Sequence, residues 1–328
     1  MENVLKKFPH GLPTLEQIRE SNKGSDLPPE TAWIWGPEDE IGRINLLTPE
    51  RVREAKTKEL LDGDVVSLNW PLNLPKKPSF GRQAAKLTLK QTTPDTEMSQ
   101  DDLIDMNTQS GSQWDGFRHV GHLKNKFFYN GLRPTELKTD TRCGIQAVSN
   151  HGIVGRGVLL DYYSWKQQRG EEYDPFTSHE IHLDELLQVA KEQRVTFETG
   201  DILIIRSGYV SKYHEIERRT PAKLEELASA SPQLAGVAPT EEIKTWLHDS
   251  YFSAVAGDAP AWETWPPAKD LLHQYLLALW GMPIGEMFDL EALAEQCKRK
   301  KRWSFFFVST PLNIPGGVSS LANALAVQ

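Results

Sequence analysis

This sequence of 328 residues contains little cysteine, no excess of basic over acidic residues and no long apolar run. Its 2 cysteines, Cys143 and Cys297, lie in unlike contexts, so they predict neither a disulfide framework nor a cysteine-rich zinc site. A formal net charge of -8 argues against a broad phosphate-binding surface, and we expect no nucleic-acid partner. The short basic run 298–302 is typical of a solvated helix end.

No apolar stretch approaches the roughly 20 residues that span a bilayer, and the chain begins without an apolar leader. We therefore expect no membrane association. Together with the scarcity of cysteine, this predicts a cytoplasmic protein. Hydrophobic residues at 39% and charged residues at 25% are typical of a globular chain that is long enough to bury a substantial core.

The sequence predicts a short N-terminal arm followed by one domain. Residues 1–30 are polar, contain several prolines and show little periodicity, so we predict an N-terminal arm that wraps the surface or a partner subunit. No repeat, linker or low-complexity block divides residues 31–328, which predicts a single mixed α/β domain. Strands are predicted at 65–70, 152–161, 201–206, 251–257 and 303–310, and helices at 49–61, 183–190, 271–279 and 289–298, with two more between 221 and 246.

Small, polar and coordinating side chains crowd the segment from Gln109 to His119. Asp115 and His119 lie four residues apart, after Gly111 and Ser112, which let the backbone approach a ligand closely. A carboxylate and an imidazole at this spacing are half of a metal site. Taken alone, such a pair is more often a structural hydrogen bond in a turn.

A second segment contains His273 and Glu286. The histidine opens a predicted helix and the glutamate follows a short predicted strand, so the two elements can bring both side chains to one point. The alternative is that His273 is a partly buried histidine with satisfied hydrogen bonds and that Glu286 precedes a helix start.

The first segment resembles the signature of the cyclase family that contains bacterial kynurenine formamidases, His-x-Gly-Thr-His-x-Asp-x-x-x-His. Here it reads Gln109-x-Gly111-Ser112-Gln113-x-Asp115-x-x-x-His119. Further similarity occurs at 35–52, 152–161, 200–208 and 273–293, so the resemblance covers most of the chain. It implies a swivelling β/β/α fold, in which a mixed sheet is partly curled into a barrel and flanked by helices. It also implies a homodimer whose N-terminal arms reach across.

In family members with two metal ions, the first two motif histidines, the aspartate and a later glutamate hold one ion, and the aspartate, a later histidine and the same glutamate hold the other. The resemblance thus implies Asp115, His273 and Glu286 as metal ligands and His119 as the general acid/base. Gln109 and Gln113 stand at the positions of two family histidines, and a carboxamide oxygen is a weaker zinc ligand than imidazole. We expect one divalent ion rather than two, zinc before manganese.

Two tryptophans are candidates for a substrate pocket: Trp114, which adjoins the motif, and Trp70. Large aromatic side chains also fill cores, which is the alternative for both. No nucleotide cofactor is implied, because Gly155-Arg156-Gly157 lacks the spacing and the lysine of the known phosphate loops.

The resemblance implies a metal-dependent hydrolase of a small molecule, acting on an amide, lactam or ester carbonyl, with arylformamidase-like chemistry and a place in tryptophan catabolism. One alternative is a non-hydrolytic cyclase or dehydratase of a secondary metabolite, in which His119 moves a proton. Another is a catalytically silent family member. The retention of two carboxylates and two imidazoles speaks against the silent alternative, because burying them uncompensated is costly.

Overall fold

A nine-stranded mixed sheet lies at the centre of the protein, whose structure is a computed structural model that describes residues 11–93 and 98–328. The strands are β1 Val65–Ser67, β2 Lys86–Gln91, β3 Gln100–Asp105, β4 Gln113–Asp115, β5 Ile153–Leu160, β6 Glu180–Ile181, β7 Ile202–Ile205, β8 Gly236–Val237, β9 Ala254–Gly257, β10 Ile284–Glu286, β11 Ser304–Ser309, β12 Ser319–Leu321 and β13 Ala324–Val327. The central sheet has the order β1-β13-β11-β5-β7-β9-β10-β4-β12. It curls into a half-barrel flanked by helices, which confirms the predicted fold class.

The middle of this sheet is parallel. Strands β5, β7, β9 and β10 pair in parallel, and every residue of β7 and β9 is buried. Continuous apolar runs such as Ile202–Ile205 are the expected pattern for strands that are covered on both faces. The outer strands are antiparallel, and β11 alternates buried with half-buried residues, as a strand does when one face packs better than the other.

The helices flank the sheet, and some of them begin at a residue whose side chain caps the first turn. They are α1 Leu15–Ser21, α2 Pro49–Glu59, α3 Ile145–His151, α4 Tyr162–Gln168, α5 Leu183–Gln193, α6 Tyr209–Arg219, α7 Pro221–Ser229, α8 Glu241–Asp249 and α9 Glu291–Lys300, with a π-helix at Gln274–Leu279. Thr48 accepts a hydrogen bond from the backbone N–H of Arg51 and Pro49 is the first residue of α2, as predicted. The helix predicted at 271–279 is π-helical over most of that range.

The part of the predicted arm that the structure describes contains a capped helix. Thr14 and Gln17 form a capping box at the start of α1, and Leu15 and Ile18 are buried. The Tyr251 hydroxyl donates to the carbonyl oxygen of Pro13 at 2.6 Å. Residues 1–10 of the arm lie outside the described residues, and the boundary at residue 30 stays a prediction.

A two-stranded antiparallel hairpin, β2–β3, was not predicted. All strand residues of the hairpin are exposed, and Leu87, Leu89 and Ile104 share one face of it. The hairpin leaves the body of the protein after Arg82 and returns just before Gln109, so its base adjoins the motif segment. Within the described ranges, no helix is long and apolar enough to cross a membrane.

Candidate active site

Two neighbouring strands carry the central acidic residues. Strand β4 pairs antiparallel with β10, so that Gln113 lies opposite Glu286 and Asp115 lies opposite Ile284. Because successive side chains of a strand point to opposite faces, Gln113 and Asp115 share one face of β4. Gln113, Asp115 and Glu286 are each at most 1% exposed.

The imidazoles reach this point from two connecting segments. His119 follows β4 through a turn in which its backbone N–H donates to the carbonyl oxygen of Gly116 at 3.0 Å. His273 precedes the π-helix and is almost buried. The Asp115 Oδ2 atom lies 3.8 Å from His119 Nε2 and 3.6 Å from His273 Nε2. The distance between His273 Nε2 and Glu286 Oε1 is 3.3 Å.

A third carboxylate orients His273. Glu263 is fully buried, and its Oε2 atom lies 2.6 Å from His273 Nδ1, while its Oε1 accepts from the His273 backbone N–H at 3.3 Å. A carboxylate can only accept, so Nδ1 carries a proton toward Glu263. The ring therefore directs Nε2 at Asp115 and Glu286. Nothing in the local sequence pattern around Glu263 marks it as a site residue, so it was not predicted.

The two motif glutamines donate to the carboxylates. Gln113 Nε2 bridges Asp115 Oδ1 at 3.1 Å and Glu286 Oε2 at 2.9 Å. Gln109 Nε2 donates to the same Asp115 Oδ1 at 2.8 Å. Because ionised Asp115 accepts only, both amides present their NH₂ groups to it. In this arrangement the amide N–H groups stabilise one side of the carboxylate pair.

On the other side, Asp115 Oδ2 is buried and has no hydrogen-bond partner among the residues that the structure describes. A buried carboxylate oxygen without a partner is costly. The ligand atoms of Asp115, His119 and His273 all lie within 4.8 Å of one another. Ligands of a tetrahedral zinc ion are separated by about 3.3 Å, given Zn–N distances of about 2.0–2.1 Å. Oxygen and imidazole donors at these separations fit one divalent cation, and Glu286 Oε1 approaches this group at His273 Nε2, 3.3 Å away.

The pKa values follow from burial and mutual charge. Burial raises the pKa of Asp115, but the neighbouring His119 and His273 outweigh burial and hold it at about 2. Burial and then the charge of Asp115 raise the pKa of Glu286 to about 7. Burial lowers the pKa of His119 by more than Asp115 raises it, so this imidazole is neutral near pH 7 and can accept a proton. Burial also lowers the pKa of His273, but Glu263, Asp115 and Glu286 raise it well above its usual value.

A cavity of about 280 Å³ opens onto this cluster. His119, His273 and Glu286 line it, and its remaining wall is mostly apolar, with Phe80 and Trp265 as the aromatic members. The rings of Phe80 and Trp265 pack edge to face, with 5.2 Å between their centroids. Arg82 is the cationic member of the wall. Phe80, Arg82 and Trp265 were not predicted, because they come from segments that lie outside the motif in the chain.

Neither tryptophan that was predicted for the pocket lines this cavity. Trp114 is fully buried on the opposite face of β4 from Gln113 and Asp115, where it packs against Phe288 and Phe307. Successive side chains of a strand point to opposite faces, and Trp114 lies between Gln113 and Asp115, so its side chain must point away from the site. Trp70 packs against the ring of Tyr213 and donates through Nε1 to His214. Both tryptophans are core residues, and the pocket prediction was wrong for them.

The sheet forms a half-barrel, and a buried cluster of carboxylates and imidazoles adjoins an apolar cavity. These features are typical of an α/β enzyme. The chain belongs to the cyclase family, since residues 66–264 match the family described as "Putative cyclase". No curated protein matches the sequence significantly.

Solved structures of similar fold agree with the family. One, described as a novel cyclase, is 28% identical, with a TM-score of 0.79 over 90% of this chain and 98% of that chain. Isatin hydrolase A from Ralstonia solanacearum is 14% identical, with a TM-score of 0.57 over 81% of this chain and 92% of its own. Isatin hydrolase A from Labrenzia aggregata, bound to benzyl benzoate, is 14% identical, with a TM-score of 0.55 over 80% and 93%. The two isatin hydrolases show a shared fold only.

Proposed function

We propose that this protein is a metal-dependent hydrolase that cleaves an amide, lactam or ester bond of a small molecule. The observation that carries the proposal is the buried Asp115 Oδ2 atom, which has no hydrogen-bond partner in the described parts of the chain and faces two imidazole nitrogens. This atom lies beneath a cavity of small-molecule size. One divalent cation, zinc before manganese, would be held by Asp115 and His273 with Glu286 as the third ligand.

The cation, when bound, supplies Lewis-acid chemistry: it polarises a carbonyl group and acidifies water. The side chains of the protein do the rest. His119 is neutral and lines the cavity, so it can take a proton from the attacking water and pass it to the leaving group. Glu263 keeps His273 in the tautomer that directs Nε2 at the carboxylates. The apolar wall excludes water from the substrate.

Arylformamidase-like activity is the finer hypothesis, because the motif resembles that of the kynurenine formamidases. The isatin hydrolases of the same fold support hydrolysis more generally, as their name states that reaction. Formylated arylamines and lactams are therefore the first substrates to test. A place in tryptophan catabolism, a cytoplasmic location and a homodimer stay proposals that rest on the family resemblance.

A second candidate is a non-hydrolytic cyclase or dehydratase. The glutamine amides favour it, because Gln109 and Gln113 already stabilise the carboxylates through N–H donors and so reduce the need for a cation. His119 would then move a proton within the substrate. Reaction in ¹⁸O-labelled water separates the two candidates: hydrolysis puts the label into the product acid, and dehydration or cyclisation does not.

Metal content tests the proposed function most directly. Purified wild-type protein should contain about one zinc or manganese ion per chain, and Asp115→Ala and His273→Ala should each lose it. His182→Ala is the matched control, because this half-exposed histidine contacts Glu180 away from the cavity. His119→Ala should keep most of the metal and lose turnover if His119 is the acid/base. Protein that binds no metal after supplementation would contradict the proposal.

A further inference from the structure

The cavity wall contains a guanidinium group that has no carboxylate partner among the described residues. Arg82 Nη1 donates to the carbonyl oxygen of Gln109 at 3.0 Å. Its Nε and Nη2 atoms have no acceptor, and no carboxylate lies within salt-bridge distance, in residues 11–93 and 98–328. Arginine offers five N–H donors in a planar fork that matches a carboxylate. Most of this hydrogen-bonding capacity of Arg82 is therefore unused by the part of the chain that the structure describes.

The guanidinium is also held in position. Its central carbon lies 5.1 Å from the centroid of the Phe80 ring, and Phe80 in turn packs against Trp265. The bond to the Gln109 carbonyl anchors the other side of the group. A cation fixed between a backbone carbonyl and an aromatic face loses little freedom on binding a ligand.

Charge around the cavity is divided. Glu286 is the carboxylate that lines the cavity, with Asp115 and Glu263 buried against His273, whereas Arg82 is the cation of the wall. An anionic group on a ligand is attracted to Arg82, because its guanidinium is a charged hydrogen-bond donor in the cavity wall. At about 280 Å³ the cavity lies near the lower end of ligand sites, so a ligand of one ring fits better than a larger one.

We infer that Arg82 binds a free carboxylate on the substrate and so selects small aromatic or apolar carbonyl compounds that carry a carboxylate away from the bond to be cleaved. The inference rests on the proposed function, because it sets the scissile carbonyl at the His119 and His273 end of the cavity. Arg82 is on this account a specificity residue, and it takes no part in bond cleavage.

Binding of a matched pair of probes tests the inference. The two compounds 4-formamidobenzoate and 4-formamidobenzamide differ only in a carboxylate against a neutral carboxamide. Calorimetry with the full-length protein should give a Kd for the carboxylate probe that is about 10- to 100-fold lower than that for the carboxamide, the range expected for hydrogen bonds to a charged group. Arg82→Gln should reduce this ratio to about one, and Arg82→Lys, which keeps the charge without the fork, should lie between.

Equal ratios in the wild type and in Arg82→Gln would overturn the inference, because the carboxylate preference would then come from elsewhere, for example from a cation at the cavity floor. Failure of the carboxylate probe to bind the wild type at millimolar concentration would overturn it as well. Unchanged affinity for the neutral probe shows that the variants keep the cavity. Turnover of either probe is measured separately and tests the proposed function. The binding data therefore test the role of Arg82, and the turnover data test hydrolysis, so the two can fail independently.

Discussion

At the scale of single residues, the site depends on which group faces which carboxylate oxygen. Asp115 Oδ1 accepts from both Gln109 and Gln113, while Asp115 Oδ2 has no partner in the described residues and faces the imidazoles. The two oxygens of one side chain are thus in different environments, one satisfied by neutral amides and one suited to a cation. This asymmetry supports the proposal of one ion rather than two.

Histidines at the glutamine positions should create a second metal site. In the double variant Gln109→His, Gln113→His, imidazole lone pairs replace two N–H donors beside Asp115 and Glu286, and metal content should rise from about one to about two ions per chain. Elemental analysis of the dialysed protein measures this. The control Gln109→Leu, Gln113→Leu removes the donors without adding ligands and should not raise metal content. A folded histidine variant with unchanged metal content would contradict the account of the amides.

Glu263 should matter for metal affinity through His273. Glu263→Ala removes the acceptor that holds the His273 ring and should weaken metal binding by about 10- to 100-fold, the range seen for such outer partners. Competition with a chromophoric chelator gives the affinity. Glu59→Gln is the control, because this buried glutamate bonds to Arg156 and Ser304 away from the cavity. If both variants bind metal like the wild type, Glu263 has no orienting role.

At the scale of elements, the position of β10 depends on a close contact between two glycines. A Cβ atom at Gly42 would lie 2.0 Å from the carbonyl oxygen of Gly281, and the backbone N–H of Arg43 donates to that same oxygen at 2.7 Å. Gly281 lies between the π-helix that follows His273 and the strand that carries Glu286. The contact therefore joins the 3₁₀ turn Gly42–Leu46 to the segment that positions two site residues.

Gly42→Ala should be clearly more destabilising than Gly63→Ala. Both glycines have positive φ, but a Cβ at Gly63 meets nothing within 4 Å. Gly63→Ala therefore measures the backbone cost alone, and Gly42→Ala adds a clash with backbone atoms that cannot move aside. We expect the free energy of unfolding of Gly42→Ala to be lower by about 1–3 kcal/mol than that of Gly63→Ala, measured in urea. Equal losses of unfolding free energy in Gly42→Ala and Gly63→Ala would mean that the contact between Gly42 and Gly281 contributes nothing to stability.

At the scale of the whole molecule, burial of a neutral histidine couples stability to pH. His248 in α8 is fully buried, with its Nδ1 atom 2.8 Å from Asp249 Oδ1 and its ring against Tyr251 and Trp280. Burial lowers its pKa from 6.5 to about 4, although Asp249 acts in the opposite direction. The unfolded chain therefore binds a proton at His248 at a higher pH than the folded chain does.

Stability should decline as the pH falls from about 6.5 to about 4. Above this window neither state protonates His248, and within it only the unfolded state gains the proton, so about 3 kcal/mol of stability is lost on acidification. His248→Phe keeps a ring of similar size and should flatten this part of the profile, measured by urea unfolding at each pH. An unchanged slope in the variant would assign the acid sensitivity to other groups.

Local pattern was sufficient for much of the fold, and the side chains that the motifs proposed for the site lie close together. The apolar runs at β5, β7 and β11 predicted strands close to their observed bounds, because strands buried in a sheet need continuous or alternating apolar residues wherever they occur. Strand β4 escaped prediction, since three residues inside a polar motif show no periodicity. Strands β12 and β13 were missed as well, and they depend on pairing with partners that are distant in the chain.

The sequence by itself determined the family and the mixed α/β class, and it proposed the four side chains Asp115, His119, His273 and Glu286 for the site, because motif spacing and residue chemistry are visible without coordinates. Only the tertiary structure decided that Trp114 faces the core, that Gln113 donates across to a glutamate 173 positions away, and that Arg82 and Trp265 meet at one cavity. The reason is physical: these contacts depend on strand alternation and sheet register, which bring together residues that no local pattern relates.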